Sequence, residues 1–178
     1  MTPEDKEEMI SHLPALRAFA ISLTRSRTRA DDAVQDTVLR ALSHADQFER
    51  GSNMRAWLFT ILRNAYYSDR RRHGREVGFV EGLWSAQLAV KPDHDGYLQI
   101  RDFLRVFERL PDEQREVLIL IGASGFSYEK AADVTGVPIG TVKSRLNRAR
   151  ARLANDLDFY EGPMEITDPV TLAVLCRI

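Results

Sequence analysis

The sequence predicts an all-α protein made of two small helical domains joined by a linker. Apolar residues recur at helical spacing along most of the 178-residue chain, and strand-like alternation is weak. The periodicity lapses at length between His73 and about Gly96, a stretch that contains Gly74, Gly78, Gly82, Pro92 and Gly96. That length exceeds the usual connection inside a compact domain, so it reads as a boundary. The domains are then 1–73 and 98–155, with a linker at 74–97 and a C-terminal tail at 156–178.

Each element has a local cause. Thr2-Pro3 with Asp5 marks a helix start, because a Thr hydroxyl accepts from orphan N–H groups and Pro fits the first turn. Leu13, Leu16, Ala20 and Leu23 follow at helical spacing, and Pro14 implies a fresh start near Leu13. The basic stretch Thr24 to Thr28 separates these from a stripe of Val34, Val38, Ala41, Leu42 and Ala45. Gly51-Ser52-Asn53 is a turn and cap signal, followed from 54 to about 72 by an apolar face of Met54, Leu58, Ile61, Leu62 and Ala65. Helicity returns with Ile100, Phe103, Leu104 and Phe107, stops at Leu110-Pro111 and resumes after Asp112 through Val117, Leu118, Leu120 and Ile121. Gly122 and Gly125 end that element. Ser127 opens a short helix, Thr135-Gly136-Val137-Pro138 turns the chain, and a longer helix runs from about Ile139 to Asn155.

The last two helices match a helix-turn-helix, whose second helix enters the DNA major groove. At about 100° per residue, Val142, Leu146, Ala149 and Leu153 share one narrow stripe that should face the core. The opposite side carries Lys143, Ser144, Asn147, Arg148 and Ala151. Arg and Lys donate to guanine, Asn pairs with adenine, and small Ser and Ala let the helix lie close. Arg145, Arg150 and Arg152 flank this face where phosphates would run. No acidic residue lies between Asp133 and Asp156, so salt bridging along the helix does not account for the charge.

On the third long helix, Trp57, Thr60, Asn64, Tyr67 and Arg71 form a stripe beside the apolar face, with Arg70-Arg71-Arg72 at one end. Such a stripe can stack on unpaired bases and hold phosphates. It also fits aromatic packing at a domain edge, with terminal cations answering the helix macrodipole.

Composition sets the outer bounds. Apolar residues make up 44% and charged residues 29%, an ordinary globular mixture. The lone cysteine, Cys176, and four scattered histidines (His12, His44, His73, His94) suggest neither a disulfide framework nor a metal site, and no cofactor is expected. No apolar run approaches the roughly 18 residues of a membrane helix, and the acidic start is unlike a signal peptide. A cytoplasmic protein without membrane insertion is expected. The net charge of −1 argues against nucleic acid until it is resolved locally. Residues 51–75 hold six basic and one acidic side chain, and 137–155 hold five basic and none acidic. Both positive segments are the candidate DNA helices, and the rest of the chain is acidic.

These residues resemble the extracytoplasmic-function sigma factors, compact initiation factors of bacterial RNA polymerase. Ala30-Asp31-Asp32-Ala33-Val34-Gln35-Asp36-Thr37 is similar to their region 2 polymerase-binding motif. Trp57-Leu58-Phe59 through Asn64 is similar to their −10 reading helix, and Leu110-Pro111 through Leu153 to their region 4. Gly125-Phe126-Ser127-Tyr128-Glu129 and Gly140-Thr141-Val142-Lys143-Ser144-Arg145 are specific to the family, and the string Gln114 to Tyr128 with Asn53-Met54 and Ala56 to Asn64 is similar to the EcfG subgroup.

The resemblance implies roles residue by residue. Asp32, Gln35, Asp36, Leu39 and Arg40 would meet the clamp helices of the largest polymerase subunit, while region 4 would meet its flap. Phe48, Asn53, Trp57, Asn64, Tyr67, Ser68 and Arg71 would serve the −10 element, including capture of a flipped non-template base. Thr141, Lys143, Ser144, Arg145, Asn147 and Arg148 would read the −35 element. Where some members carry a basic residue on the helix before the turn, this chain has Ile121. That departure withdraws support for an Arg contact to DNA from there. The subgroup also implies the general stress response of alphaproteobacteria, and an anti-sigma factor of the NepR type displaced by a PhyR-type regulator. Rival readings are a sigma mimic that sequesters an anti-sigma factor without touching promoters, and a one-component repressor. An enzyme is not expected, because no nucleophile elbow, triad setting or Gly-rich phosphate loop occurs.

Overall fold

The computed structural model describes residues 1–72 and 103–156, all helices and short turns with no strand among them. The expected linker at 74–97 and the expected tail beyond Asp156, with Cys176, lie outside the described residues.

Helix α1 spans Pro3–Ser11 and opens on a capping box: Thr2 N–H donates to Asp5 Oδ2 at 2.7 Å, and Asp5 N–H to Thr2 Oγ1 at 3.3 Å. His12 ends it, and α2 (Leu13–Thr24) restarts with Pro14 in its first turn. Every residue of α2 from Ala18 to Thr24 is buried, because the helix packs against three neighbours, α3, α4 and α6. Arg25 closes α2 in the left-handed region at φ 53°, and Ser26 caps α3 (Arg27–Ser43). In α3, Ala30, Thr37 and Ala41 are buried and Val34 and Val38 are half-buried. Leu42, expected in the stripe, is 42% exposed instead. It lies about 80° around the helix from Val34 at 100° per residue, and Thr37 fills the core side with its hydroxyl donating to Ala33 O. A short 3-10 turn, Ala45–Gln47, leads to α4 (Met54–Arg72), whose first turn is capped by Asn53 Oδ1 accepting from Ala56 N–H at 2.8 Å.

The second half begins with α5, residues 103–109, which buries Leu104, Val106 and Phe107. Leu110-Pro111 breaks the chain before α6 (Asp112–Leu118), buried from Gln114 onward. α6 runs into a π-helical turn, Ile119–Ala123, where Ser124 N–H reaches back five residues to Ile119 O at 2.8 Å. Gly125 follows at φ 66°, and Ser127 caps α7 (Tyr128–Thr135) by accepting from Lys130 N–H. Gly136 at φ 67° ends α7, a left-handed conformation that glycine adopts without a Cβ penalty. α8 (Ile139–Asp156) lays Val142, Leu146, Ala149 and Leu153 onto the core, the stripe that periodicity selects.

The two modules, α1–α4 and α5–α8, share one continuous apolar core. Phe59 of α4 joins them, stacked on Phe19 at 4.9 Å and edge-on to Phe126 at 5.1 Å. Phe59 lies outside the apolar face expected from 54 to 72. Its burial comes from the second module, which gives α4 a second packed side.

Candidate nucleic-acid and polymerase interfaces

On α8 the buried stripe turns the basic side outward. Lys143, Asn147 and Arg148 are exposed, whereas Thr141, Ser144 and Arg145 are half-buried. Ser144 Oγ donates to Thr141 O at 3.0 Å, which tucks the hydroxyl against the helix and leaves room for close approach. Lys143 Nζ lies 5.5 Å from the Tyr128 ring centroid. Ile121 is half-buried against the core. One face therefore presents a point charge, an amide and a guanidinium without a bulky apolar residue between them.

The residues expected to serve the −10 element divide into two groups. Phe48 packs on Trp57 with ring centroids 5.1 Å apart, Asn53 caps the helix, and Asn64 is exposed. These three places lie toward the start and middle of α4. Further along, Arg71 is exposed and donates to Ser68 Oγ at 3.0 Å. Tyr67 turns the other way. Its hydroxyl donates to Glu116 Oε2 at 3.3 Å, and Arg63 sits 4.7 Å from its ring centroid. Burial, with the Glu116 charge beside it, pushes the Tyr67 phenol well above its ordinary range.

The residues expected to meet polymerase share one face of α3. Asp32, Gln35, Leu39 and Arg40 are exposed, and Asp36 is half-buried and paired with Arg40 at 2.8 Å. Leu39 is 57% exposed among these charges, next to the outward Leu42. Two outward leucines ringed by polar groups make a protein-docking surface rather than a solvated face.

Sequence reasoning missed a charged cluster between the modules. Arg115 is 1% exposed and Glu116 fully buried. Arg115 donates to Ser22 O, to Leu110 O at 3.0 Å and to Asp112 Oδ1 at 2.7 Å. Asp112 also accepts from Arg25 at 3.3 Å and from Arg70. Arg63 Nε donates to Glu116 Oε1 at 2.5 Å. Burial drives the Arg115 guanidinium down to about 10, helped by the Arg25 charge, so it stays protonated near neutrality. Burial also raises the Glu116 carboxyl above its ordinary range, against the opposing pull of Arg63. The available signal was that every residue from Gln114 to Leu120 sits in an apolar setting, where a charge must find partners. Those partners are about 50 or 90 positions away, beyond the reach of periodicity.

No helix among the described residues is long and apolar enough to cross a membrane. No cluster of three or more His, Cys, Asp or Glu side chains among them could hold a metal ion.

Comparison with known proteins agrees with this arrangement. Residues 9–63 match the family model described as the Sigma2 domain of PhyR, and residues 100–153 match Sigma-70, region 4. The ECF RNA polymerase sigma factor EcfG of Rhodopseudomonas palustris is 49% identical over 154 residues, covering 86% of this chain and 85% of that protein. The sigma factor RpoE of Bartonella quintana, solved in complex with the anti-sigma factor NepR, superposes with a TM-score of 0.74. It is 49% identical, covering 89% of this chain and 99% of that one. CnrH in complex with the cytosolic domain of CnrY gives a TM-score of 0.60 at 29% identity, covering 86% of this chain and 87% of that one. CnrH is the sigma factor of that name from Cupriavidus metallidurans. With helices that match both sigma domains, and a relative alike over most of both lengths, the chain belongs to the ECF RNA polymerase sigma factors, of the EcfG type.

Proposed function

We propose that this chain directs RNA polymerase to promoters of general stress response genes from the cytoplasm, and that a NepR-type anti-sigma factor restrains it. The polymerase supplies the catalysis, and this chain supplies specificity. The observation that carries the reading is the outward basic face of α8, with Lys143, Asn147 and Arg148 free of acidic neighbours on their own helix.

In this reading 1–73 is region 2, 74–97 the linker and 98–155 region 4. Thr141, Lys143, Ser144, Arg145, Asn147 and Arg148 read the −35 element in the major groove. Phe48, Asn53, Trp57, Asn64, Tyr67, Ser68 and Arg71 engage the −10 element. Asp32, Gln35, Asp36, Leu39 and Arg40 hold the clamp helices. Flipping a base out of the stack costs a few kcal/mol. A chain of net charge −1 cannot recover that from phosphate contacts alone, so the free protein binds DNA weakly. Support for the inhibitor comes from the NepR-bound relative, 49% identical to this chain, and from exposed apolar side chains such as Leu39 and Leu42.

The test is reconstituted transcription with purified core polymerase on an EcfG-type promoter. Promoter-specific transcripts are expected, falling as NepR is added. Failure to initiate, where a related factor succeeds, would overturn the reading. The match to the PhyR sigma2 model favours one alternative, a mimic that sequesters the inhibitor. A mimic would relieve inhibition of another sigma factor while initiating nothing itself.

A further inference from the structure

We propose that Asp112 and Arg115 form a latch that holds the two helical modules in a closed state unable to read both promoter elements, so that promoter engagement requires its release. The proposal rests on the reading faces assigned above, while closure itself does not.

The latch is built within this one chain. Asp112, at the first turn of α6, accepts from Arg25 at the end of α2 and from Arg70 near the end of α4, and also holds Arg115 of its own helix. Arg115 carries its guanidinium into the first module and donates to the carbonyl of Ser22. That carbonyl is among the last four of α2, which have no acceptor role inside the helix. A cation at a helix C-terminus also meets the negative end of the macrodipole. One acidic side chain therefore gathers two arginines from the first module and orients a third that caps it. The apolar counterpart is Phe59 held between Phe19 and Phe126, with the Arg55 guanidinium 5.1 Å from the Phe126 centroid.

Distance sets the functional consequence. Elements centred near −10 and −35 lie about 25 base pairs apart, about 85 Å along the duplex. α4 has 19 residues and α8 has 18, so at 1.5 Å per residue they would reach only about 55 Å laid end to end. Instead α4 packs directly on α7, one turn of chain away from α8. The closed arrangement therefore cannot place both helices on their elements. It also seals Tyr67, one of the assigned −10 residues, against Glu116. The polar half of the latch is suited to release, because Asp112 and its arginines regain water on opening, which offsets much of what their pairing contributes.

The experiment uses the full chain with dyes on Ser11→Cys and Ala154→Cys in a Cys176→Ser background, and core-polymerase affinity measured on unlabelled protein. Asp112→Asn is expected to lower energy transfer between the dyes. It should also raise apparent affinity for core polymerase about fivefold to tenfold, because apparent affinity scales with the fraction already open. A misfolded variant would lose affinity, not gain it. If Asp112→Asn melts out, Arg70→Ala, whose side chain is 38% exposed at the rim, carries the same measurement with a smaller shift in the same direction. Unchanged energy transfer, or a longer distance without a gain in affinity, would overturn the latch. Energy transfer in the free chain needs neither promoter nor polymerase, so failure of the promoter reading appears separately, as absent transcription by the wild type.

Discussion

Removing the Arg148 side chain takes away an exposed guanidinium from α8 and leaves Val142, Leu146, Ala149 and Leu153 untouched behind it. Arg148→Ala should therefore lower −35-dependent transcription about tenfold or more, the scale of a lost base contact of ~1–3 kcal/mol. Its melting temperature and core-polymerase affinity should hold. Asp36→Ala should behave in the opposite way. It loses a surface pair with Arg40 that contributes only about 0.3–0.5 kcal/mol to the helix, yet it should weaken binding to core polymerase in a pull-down or fluorescence titration. Equal loss of both activities in either variant would count against the assigned faces. At this scale the exposed residues of α8 and α3 were legible, because a single helix with a known core side fixes what its other side shows. Arg115 and Glu116 were not, since their partners belong to helices that only the tertiary fold brings near.

For the elements, start and stop chemistry carried most of the information. Thr2, Asn53 and Ser127 each accept from a backbone N–H in the first turn of the helix they precede, and Gly136 closes α7 in a conformation that suits it. Ser127→Ala should cost about 1 kcal/mol, read as a lower midpoint in urea with an unchanged slope. The effect should fall on the second module, because α7 has only eight residues and depends on its ends. Nothing lies within 4 Å of a Cβ built on Gly136, so a substitution there would meet no neighbour and its cost would be the backbone strain of φ 67° alone. The width of the buried face on α4 was less legible. A periodic stripe describes a helix with one packed side, whereas α4 is packed on two, and Phe59 belongs to the second.

Across the whole molecule, near-neutral charge conceals two basic helices set in an acidic remainder. The same separation governs how closure responds to pH. Glu116 faces Arg63 and Tyr67 of α4, with Arg145 of α8 contributing from the other side. Its proton is held more tightly in the closed state than in water, because burial outweighs those partners. Its contribution to closure is thus fullest below the ordinary carboxylate range and is lost as pH rises through the raised closed-state value. Energy transfer between dyes on the two modules should accordingly fall from mildly acidic toward alkaline solution, and Glu116→Gln should flatten that slope. A rise with pH would mean that the Arg63 pairing dominates. The two-module plan was visible from the sequence, but their docking depends on long-range contacts that no local pattern encodes.

The π-helical turn at Ile119–Ala123 has a bearing on how such a chain could vary. A wider turn holds one more residue than an α-helix would use for the same advance. Losing one residue there would restore regular winding and swing everything after it by about 100°. Substitutions in this turn would change only local fit, but a single-residue deletion would re-aim Phe126 and the helix-turn-helix together. Residue count in these five positions therefore acts as a setting for the angle of the DNA-reading helix, and relatives that gained or lost a residue here would have to rebuild the interface as a unit.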